Sequence, residues 1–436
     1  MTARVDVAVI GSGLAGFAAA LAARQAGANV VVLHRAAGGT ALASGAWDVA
    51  PPLHPEELLR PRHSLVECIE AVAHQRPAHP YAVLADPVAA VREAHARVLP
   101  ALGGYRPLDL DGPGVLAATD LGLLRRSGTV QREVLALEPE GPNSVGVVDL
   151  GGAPTWDADF LAASFAERVA GLPGPSFAPL RAPLLDPALD TVRHPHELAA
   201  ETDVEAGCAR LVAALREASE GPGANALLLP PVLGLATDTV AETVERAVGR
   251  PLGEALAALA GPQGLRLDRR LRAALAMAGA ECLHAPVAGV TATDRDVRID
   301  LLDGRSITSG AAVLATGKHV AGGLLVNEGR VREPVAGLPV RTGGELAPLP
   351  SSVDGPDPVE QFGTDWWDGG PGFSQGVGYD ADLRALGAAD EPATGTLFVA
   401  GALLDGFDPA RDGTGLGCCA TTGFLAGRNA AAQAGR

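Results

Sequence analysis

The first thirty-five residues constrain the fold more than any other part of this chain. An apolar run at residues 5–10 leads into Gly11-Ser12-Gly13-Leu14-Ala15-Gly16, and an alanine-rich helix is predicted over residues 18–26. In such a loop the glycines permit a tight turn, close approach to a phosphate and close packing of helix on strand. The N–H groups at the helix N-terminus favour an anion. With a second buried strand at residues 29–34, this pattern predicts a dinucleotide-binding βαβ unit.

One residue expected of such a unit is missing. An acidic side chain normally ends the second strand and holds the adenosine ribose, whereas this chain has His34 and Arg35 there. Either the ribose is held differently, or the ligand is a mononucleotide that has no adenosine.

Composition limits the partners. A chain of 436 residues exceeds the usual single domain, and its net charge of −17 opposes binding to nucleic acid and to anionic lipid. No signal-peptide pattern opens the sequence, and the apolar stretch at residues 226–236 is short and interrupted by Pro230 and Pro231. We therefore expect a cytoplasmic protein that does not enter the membrane itself.

The five cysteines include no CxxC pair, so neither a metal site nor an iron–sulfur cluster is predicted. The adjacent Cys418 and Cys419 lie in a glycine-rich segment. Small residues that fill tight backbone space explain them better than a redox pair does.

The central region is rich in Pro, Ala and Leu and contains helical patterns, near residues 87–98, 157–169, 204–219 and 239–247. We interpret it as an insertion that carries a substrate-facing surface rather than as a second nucleotide fold. A helix at residues 268–278, a strand at 281–284 and an antiparallel meander at 289–303 then return to the first domain. The predicted flavin-binding domain comprises residues 1–75, 265–320 and 395–436, and the predicted inserted cap or substrate domain comprises residues 76–264 and 321–394.

Two later motifs are typical of flavin proteins. A buried strand ends in Ala315-Thr316-Gly317, where small residues let the chain pass close to a cofactor. Near the C-terminus a strand reaches Gly401, and Gly413-Thr414-Gly415-Leu416-Gly417 leads into a helix over residues 418–432. The N-terminus of that helix would stabilise the negative charge that a flavin gains at its N1/O2 edge on reduction.

Several motifs are not required by a flavin fold in general. They are residues 43–48 (ASGAWD), His79-Pro80-Tyr81, residues 228–230 and 234–236, residues 315–324 (ATGKHVAGGL), residues 332–335 (REPV) and residues 401–409 (GALLDGFDP). Together they identify a resemblance, over nearly the whole chain, to the family of B subunits of the anaerobic glycerol-3-phosphate dehydrogenase. The resemblance implies an α/β fold: a glutathione-reductase-like FAD/NAD(P)-binding Rossmann fold with an inserted substrate or cap domain.

The resemblance also implies an activity. The complex of A, B and C subunits oxidises sn-glycerol 3-phosphate to dihydroxyacetone phosphate and passes electrons to quinone, so contact of this chain with the inner face of the membrane would be indirect. The B subunit is associated with FMN, which agrees with the missing acidic residue. FAD is the alternative, because the usual ligand of the glycine loop is a pyrophosphate.

Such an oxidation needs a base for the C2 hydroxyl and a cation for the phosphate. His319 follows the Ala-Thr-Gly strand, where an imidazole could lie over the flavin or simply orient a loop. Arg332 and Arg125 could bind phosphate, although Arg332 could equally pair with Glu333. The predicted catalytic residues are His319 and Arg332.

The loop at Ser44 and Gly45 is predicted to lie against the flavin. Asp405 and Asp408 could contact the cofactor, but turn formation is the simpler interpretation, and Lys318 could be merely solvated. The residues predicted to bind the cofactor are Gly11, Ser12, Gly13, Leu14, Ala15, Gly16, Ser44, Gly45, Gly317, Gly401, Gly415 and Gly417.

Three hypotheses remain from the sequence. The chain is an oxidoreductase whose own flavin meets the substrate, or a flavin-bearing electron relay or structural subunit with substrate oxidation on the A subunit. A flavin dehydrogenase for another substrate is the third, because a fold and a cofactor do not fix the reaction.

Overall fold

The structure, a computed structural model, describes residues 3–137, 141, 144–151, 155–171, 174–182, 184, 193–219, 224–258, 260–327, 330–346 and 373–435. The helices are α1 (Leu14–Gln25), α2 (Leu65–Gln75), α3 (Pro80–Val83), α4 (Pro87–Leu102), α5 (Ala158–Val169), α6 (Pro195–Thr202), α7 (Glu205–Ala218), α8 (Val240–Val248), α9 (Pro262–Met277) and α10 (Gly415–Ala434). The strands are β1 (Ala3–Ile10), β2 (Val30–His34), β3 (Val115–Ala118), β4 (Leu124–Ser127), β5 (Ser144–Asp149), β6 (Ser176–Arg181), β7 (Ala226–Leu229), β8 (Leu252–Glu254), β9 (Glu281–His284), β10 (Val287–Ala292), β11 (Val297–Leu301), β12 (Ser306–Leu314), β13 (Leu325–Asn327), β14 (Arg330–Arg332), β15 (Val340–Thr342), β16 (Glu345–Leu346), β17 (Gly376–Val377) and β18 (Leu397–Val399).

A seven-stranded sheet forms the centre of the fold. Its order is β10-β11-β12-β1-β2-β9, with β18 paired to the second half of β12. Strands β18, β12, β1, β2 and β9 are parallel, and β10 and β11 add the predicted antiparallel meander. Ile10 pairs with both Leu33 and Leu314, so three strands end at the same edge. Loops that follow parallel strands therefore meet there, which is where ligands bind in open α/β sheets.

Helices α1 and α10 pack against each other unusually closely. A Cβ atom built at Gly427 would lie 2.0 Å from the carbonyl oxygen of Ala19, and one at Gly423 would lie 2.2 Å from that of Ala15. Glycine is required at both positions because any side chain would overlap backbone. The first and last helices of the chain thus form one layer beside β1 and β12.

A second parallel sheet, of order β6-β5-β7-β8, lies in the central region. Helix α5 packs on one face through Leu161 and Phe165, and α7 packs on the other through Leu211 and Leu215. The sequence predicted the helices but not these strands. The region has the doubly wound arrangement that our interpretation excluded, because short buried runs such as residues 226–229 lack the polar alternation that marks an exposed strand.

The α/β fold class is confirmed, and the helix predictions are right to within four residues except at the N-terminus of α9. Helix α9 begins at Pro262 rather than at residue 268, and α10 begins at Gly415 rather than at 418. Proline at the first position of α9 suits a helix start, since its missing N–H has no partner there. Within the described ranges, no helix has the length and apolar character needed to cross a bilayer.

Candidate functional site

The glycine loop joins β1 to α1 at the shared strand edge. Gly11 has φ +116°, and a Cβ there would lie 2.1 Å from the carbonyl oxygen of Ala315 at the end of β12. Only glycine allows this backbone conformation and this contact. Gly13 is the N-cap of α1 and Gly16 packs on the carbonyl of Gly11, so the loop has the geometry predicted for a phosphate cradle.

Two buried hydroxyls on the loops that meet here have no hydrogen-bond partner in the described part of the chain. They are Ser12 Oγ in the glycine loop and Thr316 Oγ1 after β12. Unpaired buried hydroxyls are costly, so a polar ligand that bonds them would relieve that cost. The cradle and its unpaired hydroxyls fit a bound phosphate group.

Thr40 is a site residue that the sequence analysis missed. Its Oγ1 accepts a hydrogen bond of 3.1 Å from the backbone N–H of Leu14, in the first turn of α1. It lies in a 3-10 helix, Gly39–Leu42, that follows β2. The sequence signal that could have identified Thr40 is Gly38-Gly39-Thr40, a glycine pair followed by a hydroxyl residue.

His34 and Arg35 follow the end of β2, beside the predicted adenosine position. The His34 ring contacts the ring of His284 edge to face at 5.5 Å, and Nε2 of His284 bonds the carbonyl oxygen of Arg35 at 2.8 Å. Burial lowers the pKa of His34. Arg35 itself is exposed and donates to the carbonyl of Ala321, so it links the end of β2 to the loop after β12.

The loop with Ser44 and Gly45 is held by hydrogen bonds within the loop and from Tyr105. Ser44 Oγ accepts a hydrogen bond from the N–H of Ala46, and the carbonyl of Gly45 accepts one from the hydroxyl of Tyr105 at 3.0 Å. Tyr105 is buried, which raises its pKa well above the usual range, so it remains a donor. The loop therefore has a fixed conformation.

The third motif approaches the same edge after β18. Gly401 N–H donates to Thr422 Oγ1 at 3.1 Å, and Gly415 is the first residue of α10. Gly417 N–H donates to the carbonyl of Asp48 at 2.8 Å, so this glycine contacts the loop after residue 47. The loops after β1, β12 and β18 are thus brought together, as the three motifs predict.

Arg125 is paired with Asp48. Its guanidinium bonds the Asp48 carboxylate, which is buried, whereas the Arg125 side chain is 41% exposed. Burial raises the pKa of Asp48, and the charge of Arg125 opposes that rise. Arg125 is therefore already engaged by a carboxylate.

The His79-Pro80-Tyr81 motif has a structural explanation. His79 Nδ1 accepts from the N–H of Tyr81 at the start of α3, so its proton lies on Nε2, which donates to Thr414 Oγ1 at 3.0 Å. Thr414 is the residue before α10. The ring is fully buried, which lowers its pKa to about 3. His79 therefore stays neutral and fixes the entry to α10.

Lys318 is buried rather than solvated. Its Nζ donates to the carbonyl oxygens of Phe373, at 2.8 Å, and of Phe407, at 2.6 Å. Asp408 accepts a hydrogen bond from the N–H of Ala410 and forms the predicted turn. Asp405 instead accepts hydrogen bonds from the N–H groups of Gly343 and Gly344, about sixty residues earlier, so it joins two distant loops.

The two predicted catalytic residues lie on different elements. His319 follows Lys318 in the loop after β12 and is partly exposed, whereas Arg332 is exposed at the end of the short hairpin of β13 and β14. Glu333 does not need Arg332, because its buried carboxylate accepts from the N–H groups of Val335 and Ala336 at 2.8 and 2.7 Å. The described contacts do not bring His319 and Arg332 together.

The FAD binding domain family matches residues 6–418, and the chain belongs to that family of flavoproteins. Two curated relatives both carry the name of the B subunit of the anaerobic glycerol-3-phosphate dehydrogenase. The one from Yersinia enterocolitica is 25% identical over 97% of each chain, and the one from Pectobacterium carotovorum is 27% identical over 95% of each. The resemblance predicted from the motifs is confirmed.

A flavocytochrome c3 fumarate reductase in an open conformation is among the similar solved structures. It aligns with 99% of this chain and 79% of its own at 12% identity, with a TM-score of 0.43. A likeness of that degree says nothing about the reaction.

The family match supports FAD and gives no support to FMN, which the sequence analysis placed first. Of the two alternatives drawn from His34 and Arg35, this favours a ribose that is held without an acidic residue. Among the described residues, no group of three or more His, Cys, Asp or Glu side chains could hold a metal ion.

Proposed function

We propose that this chain is the FAD-bearing subunit of a glycerol-3-phosphate dehydrogenase. One observation carries the proposal: the loops after β1, β12 and β18 meet at one sheet edge, where Ser12 Oγ and Thr316 Oγ1 are buried without partners in the described chain. The similarity to the two B subunits over about 95% of the chain supports the substrate.

The chain's residues divide the task of holding FAD. The N–H groups at the start of α1, with Ser12 and Thr40, hold the pyrophosphate, and His34 and Arg35 line the adenosine end. The loop at Ser44 and Gly45, together with Gly317, Gly401, Gly415 and Gly417, lies against the ring system. Bound there, FAD would accept the two electrons of an alcohol oxidation.

For sn-glycerol 3-phosphate, we propose His319 as the base that takes the C2 hydroxyl proton, giving dihydroxyacetone phosphate. Arg332 is the cation proposed for the phosphate, because its side chain is exposed and the neighbouring Glu333 bonds backbone N–H groups instead. Electrons pass to quinone through the A and C partner subunits, which hold this chain at the inner face of the membrane.

A relay role is the second candidate, with substrate oxidation on the A subunit. The engagement of Arg125 favours it, because its guanidinium is already paired with the carboxylate of Asp48. Where the described residues supply no cluster of cations, a phosphorylated substrate gains little binding energy.

The test is to purify this chain alone, release its flavin and identify it by chromatography, then add glycerol 3-phosphate without oxygen. Bound FAD that bleaches supports the dehydrogenase. FAD that stays oxidised until the A subunit is added supports the relay, and a purified chain without flavin contradicts both.

A further inference from the structure

Lys318 is the only lysine among the 34 Lys and Arg residues of this chain. An arginine keeps its proton at every accessible pH, whereas a buried lysine can lose it near neutrality. The single lysine is thus the chain's single amine side chain with that property. It lies directly after Ala315-Thr316-Gly317, inside the site proposed for FAD.

The position of its nitrogen is fixed by two backbone carbonyls. Lys318 is 9% exposed, and Nζ donates to Phe407 O in the loop before α10 and to Phe373 O in a separate segment. Both acceptors are neutral carbonyls rather than carboxylates, and an ammonium has one more N–H to donate. The site therefore holds the amine in place without fixing its charge through a direct ion pair.

Three carboxylates and a thiol influence the Lys318 amine at longer range. Asp405, Asp408 and Asp412 come from the loop before α10, and the Cys419 thiol comes from α10 itself. Burial lowers the pKa of Lys318 to about 8, with the carboxylates acting in the opposite direction. The carboxylates of Asp405 and Asp408 already accept hydrogen bonds from the N–H groups of Gly344 and Ala410, respectively. These bonds limit how far the carboxylates raise the pKa of the amine.

We propose that Lys318 is the proton-holding group of the redox site: its amine binds a proton when the flavin beside it is reduced and releases that proton on reoxidation. This inference rests on the proposed function. Reduction brings negative charge next to the amine, and a nearby negative charge favours the protonated form of a base. Above the pKa of the oxidised form, each two-electron reduction then takes one extra proton from solvent onto the nitrogen lone pair.

The chain offers a direct measurement, because lysine labelled with ¹³Cε and ¹⁵Nζ gives a single side-chain signal. We would titrate that signal from pH 6 to 11 in the flavin-loaded chain, first oxidised and then reduced with dithionite. The expected result is a proton affinity at least tenfold higher after reduction, which is one pKa unit. An unchanged titration in the reduced form overturns the inference.

Two variants test the same idea electrochemically. Lys318→Met keeps the length of the side chain without charge, and Lys318→Arg keeps the charge without titration. The midpoint potential of the wild type should change its slope against pH near the lysine pKa, and both variants should lose that change. Retention of the slope change in Lys318→Met contradicts the proposal. Flavin content is measured on each sample first, so absence of flavin counts against the proposed function rather than against Lys318.

Discussion

Arg266 and Glu254 form an ion pair that is almost completely buried, with side-chain exposures of 2% and 0%. Arg266 is in α9, beside the main sheet, and Glu254 ends β8 of the second sheet. Arg266 also donates to the carbonyl of Gly234, and Gln263 Nε2 donates to Glu254 at 3.0 Å. The pair is therefore fully hydrogen-bonded at the junction of the two sheets.

Removing one partner should be costly. Arg266→Met leaves Glu254 buried without its cation. We expect the free energy of unfolding, measured by urea denaturation, to fall by about 3–5 kcal/mol. Arg246→Met is the control, because Arg246 pairs with Glu242 on the exposed face of α8 and should cost less than about 1 kcal/mol. Similar losses of unfolding free energy in the two variants would show that burial does not determine how much an ion pair contributes to stability.

Gly13→Glu should abolish flavin binding while the fold is retained. The nearest atom to a Cβ at this position is the side-chain Oγ1 of Thr40 at 3.2 Å, so a side chain enters only with a small shift of that hydroxyl, and its carboxylate would lie near the proposed phosphate position. Flavin content after purification is the measurement. Gly174→Glu adds the same charge to an exposed turn of the second sheet and should keep the cofactor; full flavin content in Gly13→Glu would contradict the cradle.

His319→Ala should slow reduction of the flavin by roughly 10²-fold or more, as expected when a general base is lost, without releasing the cofactor. Stopped-flow absorbance under anaerobic conditions measures the rate. Val320→Ala changes the next residue, which is 75% exposed, and should leave the rate unchanged. Equal rates in wild type and His319→Ala would remove His319 from the chemistry.

His79 predicts a specific acid sensitivity. Its pKa falls from 6.5 to about 3 in the folded chain, so the unfolded chain binds the proton first as the pH drops below 6.5. Stability should therefore decline between about pH 7 and about pH 5.5, and His79→Gln should show a smaller decline in urea titrations at the two pH values. His74→Gln, which alters an exposed histidine of α2, should retain the wild-type decline.

The sequence predicted what local rules govern. The turn at Gly11 and the buried strands β1, β2 and β12 follow from glycine spacing and apolar patterning. The main sheet and its ligand-binding edge could therefore be predicted from the sequence. The second sheet could not be predicted, because the sequences of its short buried strands resemble those of buried helix segments. The burial of Lys318 depends on carbonyls at residues 373 and 407, which no local pattern connects to it.

Residue roles were harder to predict than residue positions. Glu333 was weighed as a partner of Arg332, but its carboxylate forms a turn with Val335 and Ala336. In the sequence, His79 served only to identify the family resemblance. Its structural role, fixing the start of α10, became visible only through its hydrogen bond with Thr414, 335 residues later in the sequence. Such contacts depend on chain topology rather than on neighbouring residues.

The glycine-to-alanine contact of α10 with α1 has a consequence for biosynthesis. A ribosome makes α1 about 400 residues before Gly423 and Gly427, which cover Ala15 and Ala19. Strand β1 likewise waits for β12, about 300 residues later. Such long-range closure is slow and leaves apolar surface open in the meantime. The cofactor edge is therefore completed only after residues 415–427 have been made, and until then the nascent N-terminal segment exposes apolar surface that a chaperone could cover.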